Sequence, residues 1–281
     1  MNVRQLRISR RSVAVVAGLV GMVSLAIGAH AALNKRALDA AKAIGTEQSA
    51  DAATKQSRLA LVIGNGHYPD ASAPLNQPIN DARALTSTLR QSGFDVDVVE
   101  DASKDDMQRA IGRLKSKIKP DSVVMLFFGG YGIQAGRESY MIPVDARIWK
   151  EGDIRREGVS VESVLEAVRE NGAHAKLVVL DASRRNPYER RFRSFSHGLA
   201  PISAPDNALI LTSATPGKVA DDSKGQNSVL VSELLNHLNS QGAGGIEGVF
   251  NKTRVAISRA SDGEQVPSVS SSLLDEIRIG G

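Results

Sequence analysis

The chain contains no cysteine. That absence removes disulfides, thiolate metal sites and a cysteine nucleophile at once. Acidic residues are missing from the first 31 positions, where Arg4, Arg7, Arg10 and Arg11 supply all the charge. The formal net charge of +4 is therefore entirely N-terminal, and the rest of the chain carries 31 basic and 31 acidic residues. A neutral body lacks the basic face that phosphate neutralisation requires, which argues against a nucleic-acid partner. No internal repeat is visible. His174 and His237 fall beside or within helical segments without metal-ligand spacing, and no metal or cofactor is expected.

What is present is enough apolar sequence, 42% of 281 residues, for a substantial core. The first 31 residues combine a basic start, an apolar run from Val13 to Ile27 and Ala29-His30-Ala31, an A-x-A cleavage pattern. They read as an export signal that engages export machinery. Ser9 to Val15 is similar to a twin-arginine signal, with Val13-Ala14 where Phe-Leu is usual. The alternative is an uncleaved membrane anchor, because the run approaches the ~17 residues that span a bilayer. Either way the body is expected outside the cytoplasm, periplasmic or anchored in the inner membrane. Residues 32–57, rich in alanine and lysine, read as a spacer, and residues 58–281 as the folded domain.

In that domain apolar runs alternate with helix-period segments. Residues 58–64, 122–128, 176–181 and 208–214 are continuous apolar runs, and 94–100 alternates. Helices are expected over 80–93, from a Ser103/Asp106 capping box through Met107, Ala110, Ile111, Leu114 and Ile118, over 161–172, and around Val229 to Leu238. Residues 248–257 have helical spacing at Val249, Phe250 and Val255, which reads as packing. Strands apolar on both faces and separated by helices predict an α/β fold with a mostly parallel central sheet flanked by helices. Sites in such sheets form at the carboxyl ends of strands.

Three strand ends stand out: residues 64–68 (GNGHY), 128–134 (FGGYGIQ) and 181–187 (DASRRNP). The first is no dinucleotide fingerprint, because Pro69 occupies the position of the final glycine. The glycines of the second either let another backbone approach closely or serve a tight turn. The arginines of 183–195 read as a solvated loop.

The ordered motifs, from the first strand through PLNQPINDARAL, FFGGYGIQ, YMIPVDA, VVLDASRRNP and LILTSATPGKVADD to EQVPSVSSSL, together resemble the bacterial caspase-like peptidases (peptidase C14), relatives of caspases and metacaspases. The resemblance spans about residues 58–275 and implies a caspase-like three-layer sandwich. It also implies a histidine in a Gly-His-Gly loop and a cysteine in Asp-Ala/Ser-Cys. Here those positions are Tyr131 and Ser183. A serine hydroxyl needs an adjacent base to attack, and a phenol with a pKa of ~10 is ionised in about one molecule per thousand at pH 7. Such losses cost ~10⁴ to 10⁶ in turnover, so a catalytically impaired pseudo-peptidase that binds peptide or protein is expected. His67 or His197 could serve as another base for Ser183 if either lies within reach, which would leave an active hydrolase. A third alternative is a scaffold that binds nothing. The resemblance further implies that Asp81 and Asp181 line a pocket for a basic side chain. The competing reading is that Asp81 caps a helix and Asp181 anchors a turn.

Overall fold

A computed structural model describes residues 56–69, 74–191, 198–220, 225–240 and 244–279. The N-terminal signal or anchor and the spacer up to residue 55 lie outside the described residues, as does His197. Six strands form the main sheet: β1 (Arg58–Gly64), β2 (Asp95–Glu100), β3 (Val123–Gly129), β7 (Ala175–Asp181), β8 (Ala208–Thr212) and β9 (Ser268–Ser271). Their spatial order is β2-β1-β3-β7-β8-β9. All neighbours are parallel except β9, which runs antiparallel to β8. A second, three-stranded antiparallel sheet contains β4 (Gly132–Ala135), β5 (Glu138–Met141) and β6 (Val159–Ser160).

The continuous apolar runs follow from burial of both sheet faces. On one face, Ala60 and Val62 of β1, Met125 and Phe127 of β3 and Leu177 and Val179 of β7 meet α1 (Gln77–Gln91), α5 (Val229–Leu238) and α6 (Ile246–Ala260). On the other, Leu61, Ile63, Leu126, Phe128, Val178 and Leu180 meet α2 (Lys104–Lys117) and α4 (Val161–Glu170). Successive strand residues point to opposite faces, so a strand covered twice must be apolar throughout. The result is the three-layer α/β sandwich that the alternation implied.

The Ser103/Asp106 capping box forms as expected: the Asp106 amide donates to Ser103 Oγ, and Asp106 Oδ2 accepts from the Ser103 amide. Ile118 falls just past the end of α2, at its C-cap. Helix α1 begins at Gln77 rather than Asn80, because Pro78 is tolerated in the first turn of a helix. Val255 of α6 was expected to pack, but it faces solvent while Val249, Phe250 and Ile257 are buried. Sheet register places Gly64 opposite Gly129, and Gly129 opposite Asp181. Three strands therefore end flush, and the loops that follow share one edge.

Candidate functional site

Backbone hydrogen bonds hold the loop after β3 against the end of β7. The Gly130 amide donates to the Asp181 carbonyl at 3.2 Å, and the Gly132 amide to the Ala182 carbonyl at 2.9 Å. Tyr131 lies between them. A Cβ on Gly132 would stand 2.8 Å from both the Ala182 carbonyl oxygen and its Cβ, so the glycine is there for close approach. Gly64 has the same function below α1, where a Cβ would meet the Pro78 carbonyl oxygen at 2.4 Å.

Tyr131 and Ser183 thus come to neighbouring loops, and both are buried. The Tyr131 ring packs edge-on against Tyr68, with centroids 4.8 Å apart. The Tyr68 hydroxyl accepts from the Tyr131 amide and donates to the Ile142 carbonyl. Burial drives the Tyr68 phenol far above its ordinary pKa, with the Tyr131 amide pulling the other way. Ser183 is 1% exposed, and its Oγ has no hydrogen-bond partner among the described residues. Its amide donates to Ser213 Oγ and its carbonyl accepts from Ala220. A buried hydroxyl with nothing to take its proton is a weak nucleophile.

His67 is engaged by a different carboxylate. Its Nδ1 lies 2.6 Å from Asp101 Oδ2, and its ring is solvent-exposed. Asp101 follows β2, the edge strand on the side of β1 away from β3 and β7. The imidazole is therefore anchored toward the sheet edge and away from Ser183. Partial burial raises the Asp101 pKa, but the His67 and Gly66 amides and the His67 ring together outweigh it and hold the carboxyl below its ordinary range.

Asp81 and Asp181 are both buried and near enough to interact electrostatically. Asp81 sits inside α1, so it caps no terminus of its own helix. Its Oδ1 instead accepts from the Ser228 amide at 3.0 Å and from Asn227 Nδ2 at 2.8 Å, which fixes the N-cap residue of α5. Its Oδ2 is buried without a partner among the described residues. Burial, then the proximity of Asp181, push the Asp81 carboxyl up to about 7, against the pull of Asn227 and Ser228. Asp181 meets Arg184, whose Nη2 lies 3.4 Å from its Oδ2, with both side chains buried.

Arg184 corrects the expectation of a solvated loop after Ser183. Arg184 and Tyr188 are both buried, and the Arg184 cation pairs with the buried carboxylate at the end of β7. Further on, Arg191 is held over the Trp149 ring at 4.5 Å and the Tyr188 ring at 5.4 Å, and donates to the Ile148 carbonyl. Residues 192–197 lie outside the described residues. Sequence reasoning missed Arg184, Tyr68 and Tyr188 as parts of this site. The one signal for Arg184 was its place three residues after the aspartate that closes a buried strand.

A family model described as the caspase domain, peptidase family C14, matches residues 57–278. The human mucosa-associated lymphoid tissue lymphoma translocation protein 1 is 29% identical over 145 residues, 51% of this chain and 17% of that protein. Its mouse homolog is 29% identical over 136 residues, 48% of this chain and 16% of the mouse protein. The chain thus matches under a fifth of the length of either relative.

Proposed function

The chain belongs to the caspase-domain family, and we propose that it is a pseudo-peptidase in it, binding peptide or protein without cutting. One observation carries this reading: Ser183 Oγ is buried with no partner among the described residues, and the loop facing that strand end supplies a tyrosine. Neither a thiolate nor an imidazole stands at the pair. The ligand we propose is a peptide bearing an arginine or lysine, received by Asp81 and Asp181. Asp81 Oδ2, buried and unsatisfied among the described residues, supports this. Because Arg184 already contacts Asp181, the incoming side chain must displace it. We also propose that the first 31 residues direct export or anchoring, leaving the domain outside the cytoplasm; a mature chain starting at Ala32 would register in N-terminal mass analysis.

The test uses peptides containing arginine and lysine with three proteins: wild type, Ser183→Ala, and the pair Tyr131→His with Ser183→Cys. Wild type and Ser183→Ala should both stay at the buffer background, with turnover appearing only in the pair. Wild-type turnover abolished by Ser183→Ala overturns the proposal. In binding, Asp181→Asn should lose affinity for the arginine peptide; equal binding by wild type and variant rejects the basic pocket.

A further inference from the structure

A second concave surface lies away from the strand ends, between α2 and α4. It has a volume of about 390 Å³, within the range of ligand-sized clefts. One wall is a stripe of α2, Lys104, Gln108, Ile111 and Lys115, at the spacing that puts residues on one helix face. Facing it are Ser163, Val164 and Ala167 of α4, with Val159 and Tyr140 from the small sheet and Arg155 from α3 (Glu151–Glu157).

The cations of these helices divide in two. On α2, Arg109 pairs with Asp106, Arg113 with Asp97 and Lys117 with Asp95. On α3, Arg156 pairs with Asp153 and Glu157. None of those four arginines and lysines lines the cleft. The cations that do line it, Lys104, Lys115 and Arg155, have no carboxylate partner among the described residues; Lys104 Nζ donates to the Arg156 carbonyl. Glu138 is the one acid in the lining, and its carboxylate accepts from the Tyr140 hydroxyl. Burial, then Glu138, push that phenol up to about 12, so it remains a donor at neutral pH. The cleft is therefore cationic over an apolar floor of Ile111, Val159, Val164 and Ala167.

We propose that this cleft binds an acidic peptide segment in extended form, with aspartate or glutamate side chains at Lys104, Lys115 and Arg155 and an aliphatic side chain on the floor. Length selects a peptide over a small anion. Lys104 and Lys115 are eleven residues apart on one helix, about 16 Å at 1.5 Å per residue. About five extended residues at 3.3 Å each cover that distance, and a free phosphate or dicarboxylate does not.

The test is a fluorescence-anisotropy titration of the full chain with a labelled nine-residue peptide carrying glutamates around a central leucine. A glutamine version and a lysine version serve as comparisons. The acidic peptide should bind, the other two should bind at least about tenfold more weakly, and raising salt to 0.5 M should weaken binding by screening. The double variant Lys115→Glu/Arg155→Glu should lose binding about tenfold or more, whereas Lys117→Glu, outside the cleft, should bind like wild type. Equal binding of acidic and glutamine peptides, indifference to the double reversal, or full competition by millimolar phosphate each overturns the proposal. Far-ultraviolet circular dichroism of the double variant, if matching wild type, assigns its loss to the cleft; if the variant is unfolded, Lys115→Gln takes its place.

Discussion

The flush ends of β1, β3 and β7 and the cleft between α2 and α4 hold charge of opposite sign in opposite settings. Around the strand ends two carboxylates are buried, and one of them, Asp181, meets the buried Arg184. In the cleft three cations line an open surface with one acid, itself hydrogen-bonded to Tyr140. Buried charge is costly unless it is paired, and pairing inside the protein fixes the partner in place. Exposed charge costs little, and an outside partner can use it. The buried cluster therefore organises the fold around α1, α5 and β7, while the cleft can change its charge without disturbing the core.

Removing the buried cation beside Asp181 is the harshest way to break that contrast. Arg184→Ala leaves Asp181 buried without its cation, and should cost about 3–5 kcal/mol in urea unfolding at pH 8. A smaller effect comes from Asp81, whose folded carboxyl titrates near 7 rather than 3.8. The native state keeps a proton that the unfolded chain releases, so this group's contribution falls as pH rises from about 4 to about 7, and stays low above that. Asp81→Asn, which keeps an acceptor for Ser228, should flatten that window and raise stability at pH 8 by about 2–3 kcal/mol. Unfolding midpoints at pH 4.5, 6 and 8 read this directly, and a variant that tracks wild type at all three contradicts it. The smallest change belongs to the cleft, where Lys115→Glu with Arg155→Glu should shift stability by no more than about 0.5 kcal/mol.

The same division decides what could be read in the sequence. β1, β3, β7 and β8 were legible because two buried faces demand unbroken apolar runs. The hairpin β4–β5, the two-residue β6 and the serine-rich β9 gave no such signal, being short and mixed in polarity. Helix α3, with one buried apolar residue, Ile154, showed no stripe. The ordered motifs singled out Tyr131, Ser183, Asp81 and Asp181 in the sequence. The partners of the two aspartates were not legible, because those of Asp81 lie about 146 residues away in sequence and the arginine that meets Asp181 looked like one of a solvated run. The cleft was hidden for a similar reason. Pairing of Arg113 with Asp97 and Lys117 with Asp95 depends on β2 lying beside α2, and only with those pairs in place does Lys115 stand out.

Trp149 is the single tryptophan of the chain. It is 65% exposed and stacked under Arg191, which also covers the buried Tyr188. Tryptophan emission therefore originates from one place, beside the segment that starts at Ser183. If the proposed basic ligand draws Arg184 away from Asp181, the pull on that segment should alter the stacking of Arg191 and change the Trp149 emission, which would make this one side chain an optical reporter of the buried acid pair.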